Sequence, residues 1–233
     1  MKKIVTMLFT LLLIMNLSFA ADNSIYIDQV GDSADIDITQ DGSANKVYGV
    51  GDSEGTAATL TGNSQSVDIR QVGSSNLLGI DLNTTVTSGV GIDLTYYITG
   101  SNSVASIDVN GDGQGTASNN TIDIRMTGDY NDFNFTINAD STTSNVAISG
   151  GGGNTTTLSL SSDSATVDIT AAGASNTIGV TQTGLGGTNG MNFDLDITGS
   201  SNTWASTQSG SQDNDIDVNI TGDSNNWSIT QSD

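Results

Sequence analysis

Asp108, Asn110, Asp112 and Gly113 open a D-x-N-x-D-G loop, in which hard oxygens at alternate positions can converge on Ca²⁺ while the glycine allows a sharp turn. The bidentate Glu that would close such a loop is missing, and Asn119 stands where it would fall. An Asx-rich turn accounts for the same residues. Five further aspartates, Asp68, Asp123, Asp168, Asp194 and Asp217, share one phase of similar segments. On strands stacked about 4.8 Å apart they would form a column in which neighbours repel by roughly 1 kcal/mol even in water. Such a column favours divalent cations or partial protonation, and a solvated face that keeps the chain soluble explains it equally well. Other chemistry is scarce. The chain has no His and no Cys, which removes the commonest general base, the commonest transition-metal ligand and any disulfide. Polysaccharide-cleaving β-helices need a carboxylate pair at controlled separation. Here Asp is scattered, and the Arg, Trp and Tyr that would clamp a sugar are few, so the chain reads as a non-enzyme with no cofactor beyond calcium at the Asp108 loop.

The elements that would position these residues are arms of seven alternating positions. In NDIDVNI (Asn214 to Ile220) and NNWSITQ (Asn225 to Gln231), the second, fourth and sixth positions after the opening Asn point one way. Ile216, Val218 and Ile220, then Trp227, Ile229 and Gln231, are the expected inner face. Within a pair, a Gly follows the first arm after one spacer and the second arm opens three residues after that Gly, giving an eleven-residue step. NSIYIDQ leads through Gly31 to ADIDITQ, QSVDIRQ through Gly73 to NLLGIDL, and NTIDIRM through Gly128 to NDFNFTI. ATVDITA leads through Gly173 to NTIGVTQ, and MNFDLDI through Gly199 to NTWASTQ. Weaker versions surround Gly51 and Gly62, Gly100 and Gly111, and Gly151 with Asn154. Counted in pairs, the arms give about nine rungs from Asn23 to Asp233, one continuous repeat domain. The links within pairs are short, whereas those between pairs lengthen at Thr84 to Val90, Gly111 to Asn119 and Thr183 to Gly190, so loops should gather on one edge.

A stack of hairpins and a flattened β-solenoid both accommodate this step. The Asn and Gln at arm ends favour the solenoid, because in parallel register they stack into side-chain amide ladders that satisfy polar groups inside a thin core. The expected ladder comprises Asn23, Gln29, Gln40, Gln71, Asn76, Asn131, Asn176, Gln182, Asn202, Gln208, Asn225 and Gln231. Met126, Ile137, Ala171, Ile197 and Ile220 replace Gln elsewhere, exchanging the ladder for apolar burial. No Pro interrupts any arm.

Lys2 and Lys3 precede an apolar run from Ile4 to Leu17 and small residues at Ser18 and Ala20, so residues 1–20 read as a secretory signal peptide and residues 21–233 as the exported repeat domain. Beyond that leader only Lys46, Arg70 and Arg125 are basic, on a chain of net charge −21, which excludes nucleic acid and anionic lipid as partners. The repeats start at Asn23 and end at Gln231, so the expected solenoid has no caps at either end.

Asn, five residues, Gln, one residue, Gly, two residues, Asn, five residues, Gln resembles the curlin repeat of curli fibre subunits. Asn225 to Gln231 and Asn176 to Gln182 fit an arm fully, and Asn23 to Gln40 fits a rung except for Ala34. The resemblance implies an extracellular functional amyloid, with a second copy or a related subunit, an export pore and a nucleator as partners, serving biofilm matrix and surface adhesion. A non-polymerising, calcium-stabilised β-solenoid adhesin or a phage-type fibre segment could share the periodicity. An ice-binding solenoid would want flat threonine columns; Thr39, Thr181 and Thr230 share a phase, but on rungs too far apart for a continuous surface.

Overall fold

The computed structural model describes residues 23–42, 44–49, 56–73, 75–83, 91–100, 102–109, 120–138, 142–161, 166–183, 192–209 and 215–232. Residues 1–22, where the leader is expected, and the long links from Thr84 to Val90, from Gly111 to Asn119 and over 184–190 lie outside them.

Alternation of apolar and polar residues gives strands throughout, and among the described residues there is no helix, hence none that could cross a membrane. In chain order the strands are β1 (Ser24–Tyr26), β2 (Asp28–Val30), β3 (Asp35–Asp41), β4 (Lys46–Tyr48), β5 (Ala58–Thr61), β6 (Ser66–Val72) and β7 (Leu77–Asn83). There follow β8 (Asp93–Thr99), β9 (Asn102–Val109), β10 (Thr121–Thr127), β11 (Tyr130–Ile137), β12 (Thr143–Ser149) and β13 (Gly153–Ser161). The last six are β14 (Thr166–Ala172), β15 (Ser175–Thr183), β16 (Asn192–Thr198), β17 (Ser201–Ser209), β18 (Asp215–Thr221) and β19 (Ser224–Ser232).

Successive arms alternate between two sheets, and within each sheet every pairing is parallel. One sheet runs β1-β4-β7-β9-β11-β13-β15-β17-β19, with β2 and β5 filling the far half of its first coils; the other runs β3-β6-β8-β10-β12-β14-β16-β18. This is a parallel β-solenoid, not a stack of hairpins, whose adjacent strands would be antiparallel. Inward side chains of both sheets meet in one apolar cluster that contains Ile69, Tyr96, Ile124, Phe133, Phe193 and Trp204. Phe133 and Phe135 pack with ring centroids 5.6 Å apart.

The constant corner has a steric cause. Gly128, Gly150, Gly173, Gly199 and Gly222 stack on one another, and a Cβ on Gly150 or Gly199 would overlap the carbonyl oxygen of the glycine one coil earlier. The backbone also bonds between coils there, Gly128 N donating to Ser149 O at 2.9 Å and Gly199 N to Thr221 O at 2.9 Å. Only a residue without a side chain permits coils to nest so closely.

Two sequence expectations need correction. The weak arms around Gly51 and Gly62 are one interrupted arm: β4 and β5 both pair with β7, Lys46 opposite Leu77 and Ala58 opposite Ile80. Residues between Tyr48 and Ala58 are thus inserted inside an arm, not at a corner, and Gly49 N closes the insertion on Thr56 O at 2.9 Å. Trp227 and Ile229 hold the inward phase, opposite Trp204 and Ser206, yet they are 63% and 51% exposed because β19 is the last strand of its sheet.

Phe133→Ala should therefore lower stability by about 3–5 kcal/mol, whereas Trp227→Ala should cost the isolated chain less than about 1 kcal/mol. Urea midpoints of the two variants decide between this and an equally buried inner face.

Candidate functional site

The most organised chemistry in the molecule is the row of asparagines that opens the arms of one sheet. Asn131 Nδ2 donates to Asn154 Oδ1 at 3.0 Å, Asn154 to Asn176 at 2.9 Å, Asn176 to Asn202 at 3.4 Å and Asn202 to Asn225 at 3.1 Å. Asn131, Asn176 and Asn202 also reach back three residues to their corner, to Gly128 O at 3.2 Å, Gly173 O at 3.4 Å and Gly199 O at 3.2 Å, and Asn176 reaches forward to Thr198 O of the next coil at 3.3 Å. That is why Gly and Asn keep a spacing of three. The Asn satisfies the carbonyl that the turn leaves inside, and passes the bond along the stack.

The first coils start a second stretch. Asn23 Nδ2 lies 3.4 Å from Asn45 Oδ1, and Asn45 and Asn76 donate to Val72 O at 2.6 Å and Thr99 O at 3.0 Å. Asn45 escaped the sequence reading because it opens the interrupted arm, although its place three residues after Gly42 was a usable signal. The two stretches are separated by Ser103, which occupies the asparagine position opposite Asn131. Its side chain is too short to bridge, and Ser103 Oγ and Asn131 Oδ1 are buried with no hydrogen-bond partner among the described residues.

Among the described side chains, one pair of glutamines is bonded as a ladder. Gln71 Nε2 donates to Gln40 Oε1 at 2.7 Å, and Tyr96 on the next strand donates its hydroxyl to Gln71 Oε1 at 2.7 Å, after which the column turns apolar with Met126 and Ile148. Burial holds the Tyr96 hydroxyl well above the usual phenol range. Gln182 is in register with Gln208, and Gln208 with Gln231, but the side chains of Gln208 and Gln231 lie outside the described residues. Gln29 is half-buried opposite Leu60 and has no glutamine neighbour.

The aspartates do stack on the outer face of the other sheet. Asp37 faces Asp68, and Asp168, Asp194 and Asp217 follow one another on β14, β16 and β18. Asp123 lies between them, flanked by Thr95 and Asn145, which break the column. Loss of water raises the Asp194 pKa above the ordinary carboxylate value, with Asp168, Asp196 and Asp217 adding repulsion and the Leu195 N–H opposing. Protonated Asp194 is thus favoured by folding, and that stabilisation is present at acid pH and is lost as pH rises through the raised value.

Arg125 interrupts the acidity. Its guanidinium lies 5.2 Å from the Tyr97 ring centroid and 3.3 Å from Asp123 Oδ2, and Tyr97 is flanked in register by Arg70 on the other side. Sequence reading counted these arginines without bringing them together, since β6, β8 and β10 are adjacent only in the coil. Of the calcium loop, Asp108 lies on β9 opposite Asp81 and Thr136, whereas Asn110, Asp112 and Gly113 lie outside the described residues. Among the described residues no three metal-binding side chains converge.

No protein-family model, no curated protein and no solved structure matches the chain.

Asn176→Ala removes several buried bonds and should cost about 2–4 kcal/mol, while Ser103→Asn should join the two stretches and add about 1 kcal/mol; shifts in denaturant midpoint read both. Asp194→Asn should raise stability at pH 7 and flatten the rise that the parent shows on acidification toward pH 4, measured by the same midpoints across pH.

Proposed function

We propose that the chain is a structural subunit of an extracellular, curli-like fibre, exported through its leader and assembled by end-to-end stacking of about nine uncapped rungs. Biofilm matrix and surface adhesion are the roles such a fibre serves, with an export pore and a nucleating subunit as partners. The observation that carries this reading is the inner face left open at β18 and β19. Trp227 and Ile229 stand exposed in the phase that buries Trp204 one coil earlier, over a hollow of about 310 Å³ lined by Val218, Ile220 and Asn225. A sheet edge with unpaired backbone groups and apolar side chains at core phase invites another strand.

The ladder supports the same partner. Asn225 is the last donor of its row, and Asn23, at the head of the first arm, is the residue that a following copy would set against it. The joint would pair β19 with β1 and β2, and β18 with β3, all in the parallel sense used inside the chain. It would also bring Asp217 against Asp37 and Asp215 against Asp35, extending the acidic column across the junction.

The chain should therefore form thioflavin-binding filaments with a cross-β repeat, faster near pH 4 or with added salt than at pH 7 in dilute buffer, because acid lowers the large net negative charge of the copies and salt screens it. Electron microscopy and fibre diffraction test the polymer. A folded monomer that sediments unchanged under all these conditions would sink the reading and leave a non-polymerising adhesin in its place.

A further inference from the structure

Outward charge is uneven along the solenoid: on the sheet that ends at β19, Asp81, Asp108 and Asp132 lie at outward phase on β7, β9 and β11, and the charge stops there. On the sheet that ends at β18, the last three strands present Asp168, Asp194, Asp196, Asp215 and Asp217 outward. On the opposite sheet, the outward positions of β13, β15, β17 and β19 carry no charged residue, only Thr, Ser, Gly, Ala and Asn. Four consecutive strands free of carboxylates are conspicuous on a chain with 26 acidic residues.

This uncharged face has relief. Thr155, Thr177 and Thr203 stand in register as one ridge, and Thr181, Thr207 and Thr230 as another. Thr39, expected to share a phase with Thr181 and Thr230, lies on the other sheet, and Thr207 fills the gap that made the threonine surface look discontinuous. Between the ridges Gly179 and Ala205 are neighbours, and a Cβ on Gly179 would meet nothing within 4 Å. Over β15 and β17 the face is two threonine ridges with a shallow valley between them, bounded by Thr157 on β13 and Ser228 on β19.

We propose that this face is a lateral docking surface for the same face of a second copy, so that filaments pair side by side; the inference rests on the fibre reading above. Copies of net charge −21 repel wherever carboxylates meet, and these four strands are a stretch on which they can approach without that cost. A two-fold axis sets the ridge of one copy into the valley of the other, which makes a single surface self-complementary. Small side chains let two sheets close to about 10 Å and interdigitate without water. Four strands about 4.8 Å apart and nine residues long offer roughly 600 Å² per partner, short of the about 800 Å² per partner of a stable interface. Two monomers would hold weakly, whereas filaments that repeat the face at every subunit hold by multivalency.

Charge reversal tests it. Filaments of the parent should pair in electron micrographs, those of Thr203→Asp and of Thr203→Lys should stay single, and mixing the two preformed variant filaments should restore pairing. Variants that pair like the parent, or mixtures that stay single, overturn the proposal. Since the chain has no native cysteine, Ala205→Cys gives a second readout that needs no filament. A bismaleimide spanning about 12 Å, the reach needed across sheets about 10 Å apart with the two valleys offset, should link it into dimers severalfold more than Thr170→Cys, which places the thiol on the acidic side. Equal or lower yield overturns the docking surface whether or not filaments form, while absence of filaments with preferential Ala205→Cys linkage removes only the fibre reading. Thermal hysteresis in the parent that Thr203→Asp abolishes, together with no preferential linkage, would assign the face to ice instead.

Discussion

A coil that advances by one strand spacing per turn must bring its backbone back over itself at every corner, and the carbonyls at that corner face inward with no strand to receive them. At Gly128, Gly173, Gly199 and Gly222 the asparagine three residues on resolves this. Asn131, Asn176 and Asn202 each bond the carbonyl of their own corner glycine. Asn176 also bonds the next coil's backbone and the next asparagine. Glycine is required because the coils nest there, and asparagine is required because nesting buries polar atoms. Each is the condition for the other, which is why the pair recurs while the rest of the arm varies. Inward positions accept Phe133, Thr156, Ile178 or Trp204 in one column without loss of register.

Once the corners fix the register, inside and outside are decided for both sheets at a stroke. Inward positions need only be apolar and of compatible bulk, and the cluster runs unbroken along the described coils. Outward positions are free of packing demands, so charge could be distributed on electrostatic grounds alone. The result is uneven, with aspartates aligned on one sheet, arginines flanking Tyr97 within it, and no charge at the outward positions of the last four strands of the other.

Periodicity made the strands, their inward phase, the glycine corners and most of the asparagine row legible from sequence, because each is a local rule repeated many times. Parallel pairing was inferable from amides at one phase, since hairpins give no reason for that coincidence. Three features escaped. Asn45 was hidden because an insertion splits its arm, and no local pattern says that β4 and β5 share one partner strand. Trp227 was assigned correctly in phase and wrongly in burial, for alternation reports direction and says nothing about whether a neighbour is present. Thr207 was overlooked because its arm, NTWASTQ, was read for its inner face, whereas the ridge with Thr181 and Thr230 exists only across coils.

From Asn131 to Asn225 every side-chain amide gives its proton in the same direction along the axis, and none gives it back. The row is therefore a vector. Its peptide-like dipoles add head to tail as they do in a helix, leaving partial positive charge at the β19 end and partial negative charge at the other. Two faces of one stack that look alike in outline are thus chemically unlike, one offering hydrogens and the other lone pairs. The molecule distinguishes forward from backward by the orientation of its asparagines, independently of the direction in which its strands run.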